Sequence, residues 1–470
     1  MNEYLQNFTS YTNGSYGKIL INKNKNQIIK QLELKSINLQ DDDKNRDGLC
    51  AEIQTDTVMN EDKENLNGFA IREAIFLTLL KNIEGCPKII NIYVEDNVSM
   101  NILMPYYGIT LNKWILTKQY THANCLHIIV TLVETFIYLL SYGIQHTDIK
   151  PTNILITNIN TAVLIDFNLC SIIVPQSLCK NDFHWSKSIC TWVYSCPEIC
   201  EYEAPHDNST SWSVGFIMVY LFTRGCHPQL IDNNTNDIIK YNDQHKWLEY
   251  IKNLKKISNK SFPVHLKLLK YIPLEVYNLY LKCCKWNPCD RIKLHDLYRK
   301  LTRYPKETLV FNLLPYTNIS DITFIPSQCE IREKDIRKIY SILSNCEILN
   351  ILFRTITLYD LCIEKCPDIN TTEILIGVIS IAYIICYEDL SESILLQLLL
   401  SHYESIYTEN DIYTIIIEIG KKINWECYYL CDCFVNDTTR EKHKILMDIF
   451  INIKDAYKIS DILILYKNSI

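Results

Sequence analysis

The chain has 470 residues, of which 48% are hydrophobic and 21% charged. That gives room for about three folding units with large cores, and excludes an intrinsically disordered chain. A net charge of −7, with only 11 Gly and 14 Pro, excludes a basic nucleic-acid or membrane footprint, a collagen-like repeat and a low-complexity tract.

In chain order, residues 8–34 read as short strands separated by glycine turns. Residues 38–65 are polar and mostly acidic, with Asp41-Asp42-Asp43 and Glu61-Asp62, and read as a solvated insert. The spacing over 66–82 predicts an amphipathic helix, with Ile71, Ile75, Leu79 and Leu80 on one face and charge opposite. Residues 88–104 alternate as a strand pair. From 110 to 300 the period is mainly helical, interrupted by loops at 141–175 and 180–210. Pro305, Pro315 and Pro326 mark a stretch, 304–330, that reads as a linker. Beyond it the chain is helical in period to residue 470, with Pro367 as its single proline.

Twenty cysteines raise the question of disulfides. The opening MNEYLQNFTS has no basic stretch followed by an apolar one, so no signal peptide is expected and the thiols are read as reduced and mostly buried. Cys283, Cys284 and Cys289, and Cys431 with Cys433, offer metal ligands by type. They lack paired C-x-x-C knuckles, and zinc is not expected. The apolar run from Ile374 to Cys386 is shorter than the ~20 residues of a membrane span. It is expected to be a core helix of an intracellular protein, in cytoplasm or nucleus. The Ile, Asn and Lys bias resembles an AT-rich genome, including those of some large viruses.

Thr12-Asn13-Gly14-Ser15-Tyr16-Gly17-Lys18-Ile19 has the spacing of a glycine loop between two strands, where backbone amides can approach phosphates. A simple hairpin turn has the same appearance. Lys30 follows Ile28-Ile29 in an apolar strand, and a buried lysine needs an anion. Glu73, in Ala70-Ile71-Arg72-Glu73, is its natural partner, orienting it towards the phosphates of ATP. The densest signal is His146-Thr147-Asp148-Ile149-Lys150-Pro151-Thr152-Asn153, followed by Val163-Leu164-Ile165-Asp166-Phe167-Asn168. Asp148 suits the acceptance of a hydroxyl proton, Lys150 the neutralisation of a transferring phosphoryl group, and Asn153 with Asp166 the oxygen ligation of Mg2+.

Together these motifs resemble a eukaryotic-type protein kinase over about residues 8–303. Cys196-Pro197-Glu198, Trp212-Ser213-Val214-Gly215 and Trp286-Asn287-Pro288-Cys289-Asp290-Arg291 resemble further landmarks of that family, in which Glu198 and Arg291 pair. Lys150 and Thr191 are similar to the serine/threonine class. Ala70–Glu73 and Thr191-Trp192-Val193-Tyr194 are most similar to the cyclin-dependent kinases. The resemblance implies Asp148 and Lys150 as catalytic residues and Asn153 and Asp166 as metal ligands. It implies an ATP site of Thr12, Gly14, Gly17, Ile19, Lys30, Glu73, Met104, Pro105, Tyr107 and Leu155, with Met104 as gatekeeper and 105–108 as hinge. It implies an activation segment carrying Ser186 at the phosphosite position, Thr191 and Glu198, braced by Arg291.

In the C-terminal region, Ile356-Thr357-Leu358-Tyr359-Asp360-Leu361 and Leu375 through Asp389 resemble helices of a cyclin box. The resemblance therefore implies an α+β two-lobed kinase fold followed by an all-α cyclin-like domain. Its parts are a kinase domain at 1–303 (small lobe 1–104, large lobe 109–303), a linker at 304–330, a cyclin-like domain at 331–436 and a helical tail at 437–470. The implied activity is transfer of the ATP γ-phosphoryl group to Ser or Thr of protein substrates. The implied partner in cis is the cyclin-like domain, in contact near Ala70–Glu73. Neither nucleic acid nor membrane is expected as a partner.

Several positions depart from the family pattern. Thr12 stands for a glycine, Thr147 and Ser171 for arginines, Asn168 for a glycine, Thr210 for an aspartate and Ser195 for an arginine of a proline-selecting pocket. Arg72 is the one arginine left of three that clamp an activation-segment phosphate. Cys386 and Ile416 stand where a lysine and a glutamate commonly meet the kinase. Asn168 is expected to tolerate a left-handed backbone in place of the glycine. Two alternatives stay open: a pseudokinase scaffold that binds nucleotide, and a C-terminal bundle that docks other proteins.

Overall fold

The computed structural model describes residues 8–34, 66–172, 191–229, 244–302 and 330–427 with short breaks, and parts of 323–326 and 440–465. The acidic stretch 38–65, Ser186, Cys431 and Cys433 lie outside the described residues. The strands are β1 (Thr9–Gly14), β2 (Gly17–Asn22), β3 (Gln27–Glu33), β4 (Asn91–Glu95), β5 (Ser99–Pro105), β6 (Ile154–Ile156) and β7 (Ala162–Leu164). The longer helices of the first 302 residues are α1 (Leu66–Leu80), α2 (His122–Ser141), α3 (Ser209–Phe222), α4 (Gln244–Ile257), α5 (Leu274–Cys283) and α6 (Leu294–Thr302). After them come α7 (Glu330–Asn345), α8 (Leu352–Lys365), α9 (Thr371–Tyr387), α10 (Ile394–Tyr403), α11 (Glu409–Lys422) and α12 (Arg440–Asn452).

The chain forms two compact units. The first gathers residues 1–75, 89–106 and 327–427, and the second gathers 76–88, 107–326 and 428–470. The helices from α7 to α11 thus share a unit with the N-terminal strands, far from them in sequence.

In the first unit a five-stranded antiparallel sheet runs in the order β1-β2-β3-β5-β4. Gly14 pairs with Gly17 across the β1–β2 turn, so the glycine loop is the tip of a hairpin. A side chain at Gly17 would collide with the backbone carbonyl of Gln31, so the close approach of β2 to β3 already requires glycine there. β3 is central, and Lys30 on it is flanked by Ile19 of β2 and Ile102 of β5.

The helical layer of this unit is built around α8 and α9. Every residue from Leu352 to Cys362 in α8 is buried, including several polar ones. Burial without partners would cost stability, and partners are present. Asp360 accepts two bonds from Arg332 of α7, at 2.7 and 2.7 Å. The Tyr359 hydroxyl donates to Asp335 at 2.6 Å, and the Thr355 and Thr357 hydroxyls donate to main-chain carbonyls one turn back. α9 lies close to α11 because Gly377 leaves room for Ile415 and Ile419. α11 starts at a capping box in which Thr408 and Asp411 satisfy each other's amides. The apolar run Ile374–Cys386 falls in α9 as a core helix.

α1 departs from its expected amphipathic form. Residues 68–78 are all buried, Arg72 and Glu73 among them, and Leu79 is half-buried. The period of its apolar residues describes one face, while the charged residues opposite meet partners of their own.

In the second unit α2 opens with a capping box of Thr121 and Asn124. By length and composition this 20-residue helix matches a membrane span, a criterion for which the apolar run in α9 is too short. Half of it is buried in the protein, and it packs on α3 and α6. All fourteen residues of α3 are buried. Trp212 and Phe216 of α3 form an aromatic cluster with Phe262 and Trp286, ring centroids standing 5.0 to 5.7 Å apart in the closest pairs. Thr323–Phe324, inside the stretch read as a linker, pairs with Tyr457–Lys458 and ties this part to the tail. The described cysteines are free thiols. Cys283 and Cys284 are buried, burial pushing the Cys283 thiol up to about 12, while Cys289 is exposed.

Candidate active site

The first unit brings Lys30 and Glu73 together. Lys30 Nζ donates to both carboxylate oxygens of Glu73, at 2.7 and 2.6 Å. Their side chains are 14% and 2% exposed, so the pair is partly desolvated and held in one orientation. One residue earlier, Arg72 is buried and its Nη1 donates to the carbonyls of Ile384 and Ile385 in α9. The resemblance implied a phosphate-binding role for this arginine, and two of its acceptors are main-chain carbonyls.

The second unit assembles Asp148, Lys150, Asn153 and Thr191. Lys150 Nζ stands 2.6 Å from Asp148 Oδ2 and donates to Thr191 Oγ1 at 2.9 Å. Asn153 Nδ2 donates to Asp148 Oδ2 at 3.0 Å and to the Asp148 carbonyl at 2.9 Å. The Thr191 amide donates to Asp148 Oδ1 at 3.1 Å. Both oxygens of Asp148 are therefore oriented, and a hydroxyl-bearing residue of the activation segment is tied to the same carboxylate. This is the arrangement a general base needs: fixed in rotamer, with a cation beside it to balance developing negative charge.

Asp166 follows β7 with φ 71°, the left-handed region that Asp tolerates better than most residues. The Ile165 amide next to it donates to the Asn153 carbonyl at 2.9 Å, and His146 Nε2 donates to the Ile165 carbonyl at 3.0 Å. Burial lowers the His146 pKa, opposed by that hydrogen bond and the nearby carboxylates. Asn168 was expected to tolerate a left-handed backbone. It lies instead in a short 3-10 turn, Phe167–Leu169, while the residue before that turn carries the positive φ.

Two substituted positions make bonds of their own. The Thr147 hydroxyl donates to the Leu169 carbonyl at 2.5 Å, joining the Asp148 loop to the segment after Asp166. Thr210 Oγ1 accepts from Gln145 Nε2 at 3.0 Å, joining α3 to the start of the same loop. Gln145 carries no motif signal, and its role was not legible before the fold.

Glu198 and Arg291 form a two-pronged buried pair, Nη2 to Oε2 at 2.8 Å and Nη1 to Oε1 at 2.5 Å. Burial pushes the Glu198 carboxyl up, but bonds and charge from Arg291 and a bond from Ser209 outweigh it and hold the pKa below the usual range. Arg291 also stacks 5.1 Å from the Trp212 ring. His227, missed in the sequence, donates from Nε2 to the Val193 carbonyl at 2.9 Å and accepts the Gln229 amide at Nδ1, 3.2 Å. It thereby pins the segment after Thr191.

The remaining residues named for nucleotide binding fall as follows. Thr12 and Gly14 are on β1, and Gly17 and Ile19 on β2. Met104, buried, and Pro105 end β5, pairing with Ile28 and Gln27 of β3. Leu155 is on β6, buried. The Tyr107 hydroxyl accepts the Lys88 amide at 2.7 Å, and burial raises its pKa. One of the points at which the chain passes from one unit to the other lies between Tyr106 and Tyr107.

A divalent cation fits the donor set. The two bonds from Asn153 Nδ2 to Asp148 turn the amide oxygen of Asn153 the other way, and Asp166 adds a carboxylate on a segment hydrogen-bonded to Asn153. Among the described residues no group of three or more His, Cys, Asp or Glu forms a metal site. Two protein oxygens, completed by phosphate and water, are the usual setting of Mg2+. Held there, magnesium would supply charge neutralisation to a phosphate chain.

An antiparallel sheet with a lysine–glutamate pair, and a helical unit with an oriented aspartate, lysine and asparagine, are features of the protein kinase family. Residues 13–301 match the family model described as protein kinase domain, and the chain belongs to the protein kinase family. It is similar to the probable CTD kinase subunit alpha homolog of Encephalitozoon cuniculi, 25% identical over 35% of this chain and 48% of that protein. It is similar to CTD kinase subunit alpha of Schizosaccharomyces pombe, 27% identical over 42% of this chain and 33% of that one. Calcium-dependent protein kinase 4 of Plasmodium falciparum is 28% identical over 45% and 38%. The chain spans less than half the length of each of these relatives.

Proposed function

We propose that this chain is a serine/threonine protein kinase, similar to the cyclin-dependent kinases, that carries an activating cyclin-like domain in cis. The observation that carries the reading is the set of bonds on Asp148 from Lys150, Asn153 and Thr191. An acceptor hydroxyl delivered to this carboxylate would lose its proton there while Lys150 balances the charge. Lys30, held by Glu73, would orient the phosphates of ATP, and Asn153 and Asp166 would hold Mg2+. The presence of Lys150 two residues after Asp148, bonded to Thr191, favours Ser or Thr over Tyr as acceptor.

The packing of α9 on Arg72 supports an activator in cis, because it fixes α1 where Glu73 can reach Lys30. This is how a cyclin-like partner would act, by favouring one position of the helix that carries the glutamate. The bonds made by Thr147 and Thr210 favour a working catalytic loop over a pseudokinase scaffold.

The test is phosphosite mapping on a peptide library with the purified full chain, ATP and Mg2+, and no added partner. Phosphorylated Ser and Thr are expected, and the residue after the acceptor shows whether proline is selected. Labelling of Tyr alone, or a strict need for a separate activator, would overturn the corresponding part of the reading.

A further inference from the structure

The stretch from Gln244 to Lys270 holds seven lysines, no arginine and one acidic residue, Glu249, in a chain whose net charge is −7. The surplus of cations is therefore local. α4 opens the stretch, and its two sides differ. Trp247 and Ile251 are buried and Leu254 is half-buried, a stripe at helical spacing. α4 packs on Trp192–Tyr194 and Pro197–Cys200 of the activation segment. The side away from the stripe carries Lys252, Lys255 and Lys256, spaced i, i+3 and i+4 and all exposed. The segment after α4 is tied to it. The Trp247 ring stands 6.2 Å from that of Phe262, and Gln229 accepts from the Tyr250 hydroxyl at 3.1 Å while donating to the Pro263 carbonyl. That segment adds Lys260, Lys267 and Lys270, also exposed. Among the described residues no carboxylate forms an ion pair with any of these six lysines. The dipole of α4 accounts for Lys255 and Lys256 in its last turn and leaves four. Lys252 and Lys256 stand at i, i+4, where like charges repel. Ile257, 83% exposed, follows them directly.

We propose that this face of α4 and the segment after it dock an acidic segment of a protein substrate, in which Asp and Glu stand beside an aliphatic residue. The lysines answer the carboxylates, and Ile257 offers contact to the aliphatic side chain. Arginine, which suits base edges and two-pronged phosphate recognition, is absent from the stretch, and this favours a protein over a nucleic acid as the occupant. Position favours a substrate. The other side of α4 rests on Trp192–Tyr194, next to Thr191, which is bonded to Asp148 and Lys150. A chain docked on α4 is held in the same unit as the carboxylate that would take its hydroxyl proton, which raises its local concentration there. The identity of the partner as a substrate rests on the kinase reading above, whereas the binding of an acidic segment stands without it.

Two arms test it. In the first, a fluorescent peptide of Asp, Glu and Leu is titrated with the full chain, beside a twin with Asn and Gln in place of the acids. The acidic peptide is expected to bind more tightly than its twin, and about 10-fold more weakly to the triple variant Lys252→Glu, Lys255→Glu, Lys256→Glu. Added salt is expected to weaken it too. Equal binding of the two peptides, or equal binding by wild type and variant, would overturn the proposal. So would tighter binding of a single-stranded RNA or of phosphatidylserine vesicles. Lys300→Glu, Lys334→Glu and Lys421→Glu together change three exposed lysines elsewhere, and a loss equal to that of the first variant would reduce the effect to net charge and overturn it. In the second arm, the best-labelled peptide of the library is assayed with and without the same acidic sequence joined to it. The extension is expected to lower KM in wild type by about 10-fold at similar kcat, and to have a much smaller effect in the triple variant. No effect of the extension, or an equal effect in both proteins, would overturn the proposal. If the Glu variant fails to fold, Lys252→Gln, Lys255→Gln, Lys256→Gln decides, with a smaller loss of binding expected and wild-type binding overturning it. A wild type that labels no peptide would remove the kinase reading, and the titration would still judge the surface.

Discussion

Lys30 Nζ and Glu73 meet through two short bonds, one to each carboxylate oxygen, although the residues lie 43 positions apart on different elements. The pair is closed on one side by β3 and on the other by a helix buried on nearly its whole circumference. Glu73→Gln is expected to lower kcat by ~10²-fold or more, since the orientation of the phosphate-facing amine is lost. Because Lys30 keeps 14% exposure, the stability cost should be about 1–3 kcal/mol, below that of a fully buried pair. Steady-state kinetics and urea unfolding measure the two effects separately.

Arg291 and Glu198 are more deeply buried, at 0% and 5% side-chain exposure. Arg291→Met leaves an unpaired carboxylate in the core of the second unit and is expected to cost about 3–5 kcal/mol. The double variant with Glu198→Leu should cost less than the sum of the single ones, since the orphaned charge is then gone. Denaturant unfolding of the four proteins of this cycle checks it.

His227 and Glu198 predict loss of stability in acid. Burial lowers the His227 pKa to about 4 from its usual 6.5, opposed by the bond to Val193. Between those values the unfolded chain takes up a proton that the folded chain refuses, so stability falls as pH drops through the window. The expected loss is about 3 kcal/mol, at about 1.4 kcal/mol per pH unit. Glu198, whose folded pKa is depressed, contributes stability that is present above 4.5 and is lost as pH falls below that value. Thermal melts from pH 7.5 to 4 should show a falling Tm, and His227→Gln should flatten the upper part of the slope.

Gly420 in α11 sits against the face of Trp425, and a methyl group there would overlap three ring carbons. The indole is rigid and itself only 3% exposed, so it has little room to give. Gly420→Ala is expected to destabilise the first unit by about 1–3 kcal/mol. A Gly-to-Ala change at an exposed helix site would have the opposite sign, so the melting temperature distinguishes the two.

Much of the architecture was legible because its signals are local. The strands around Lys30 and the stretch from His146 to Asp166 carry short motifs whose spacing sets their own geometry. Arg72 shows where that legibility ends. Two of its partners are carbonyls 312 and 313 positions away, and main-chain acceptors leave no mark in side-chain sequence. For the same reason the helical period of α1 described an amphipathic helix, whereas both its apolar and its charged sides are covered. Asn168 was read as tolerating a left-handed backbone, and the residue with positive φ is Asp166, the expected metal ligand itself. Gln145 and His227 act through hydrogen bonds made possible by the fold, with no spacing to announce them.

The most direct measurement is transfer of labelled γ-phosphate from ATP, with Mg2+, to a Ser- or Thr-containing acceptor by wild type and by Asp148→Asn. Labelling by wild type and a loss of about 10²- to 10⁴-fold in the variant is the expected result. Equal labelling by the two proteins, or none by a wild type that still binds nucleotide, would contradict the assignment of Asp148 as the residue that receives the hydroxyl proton.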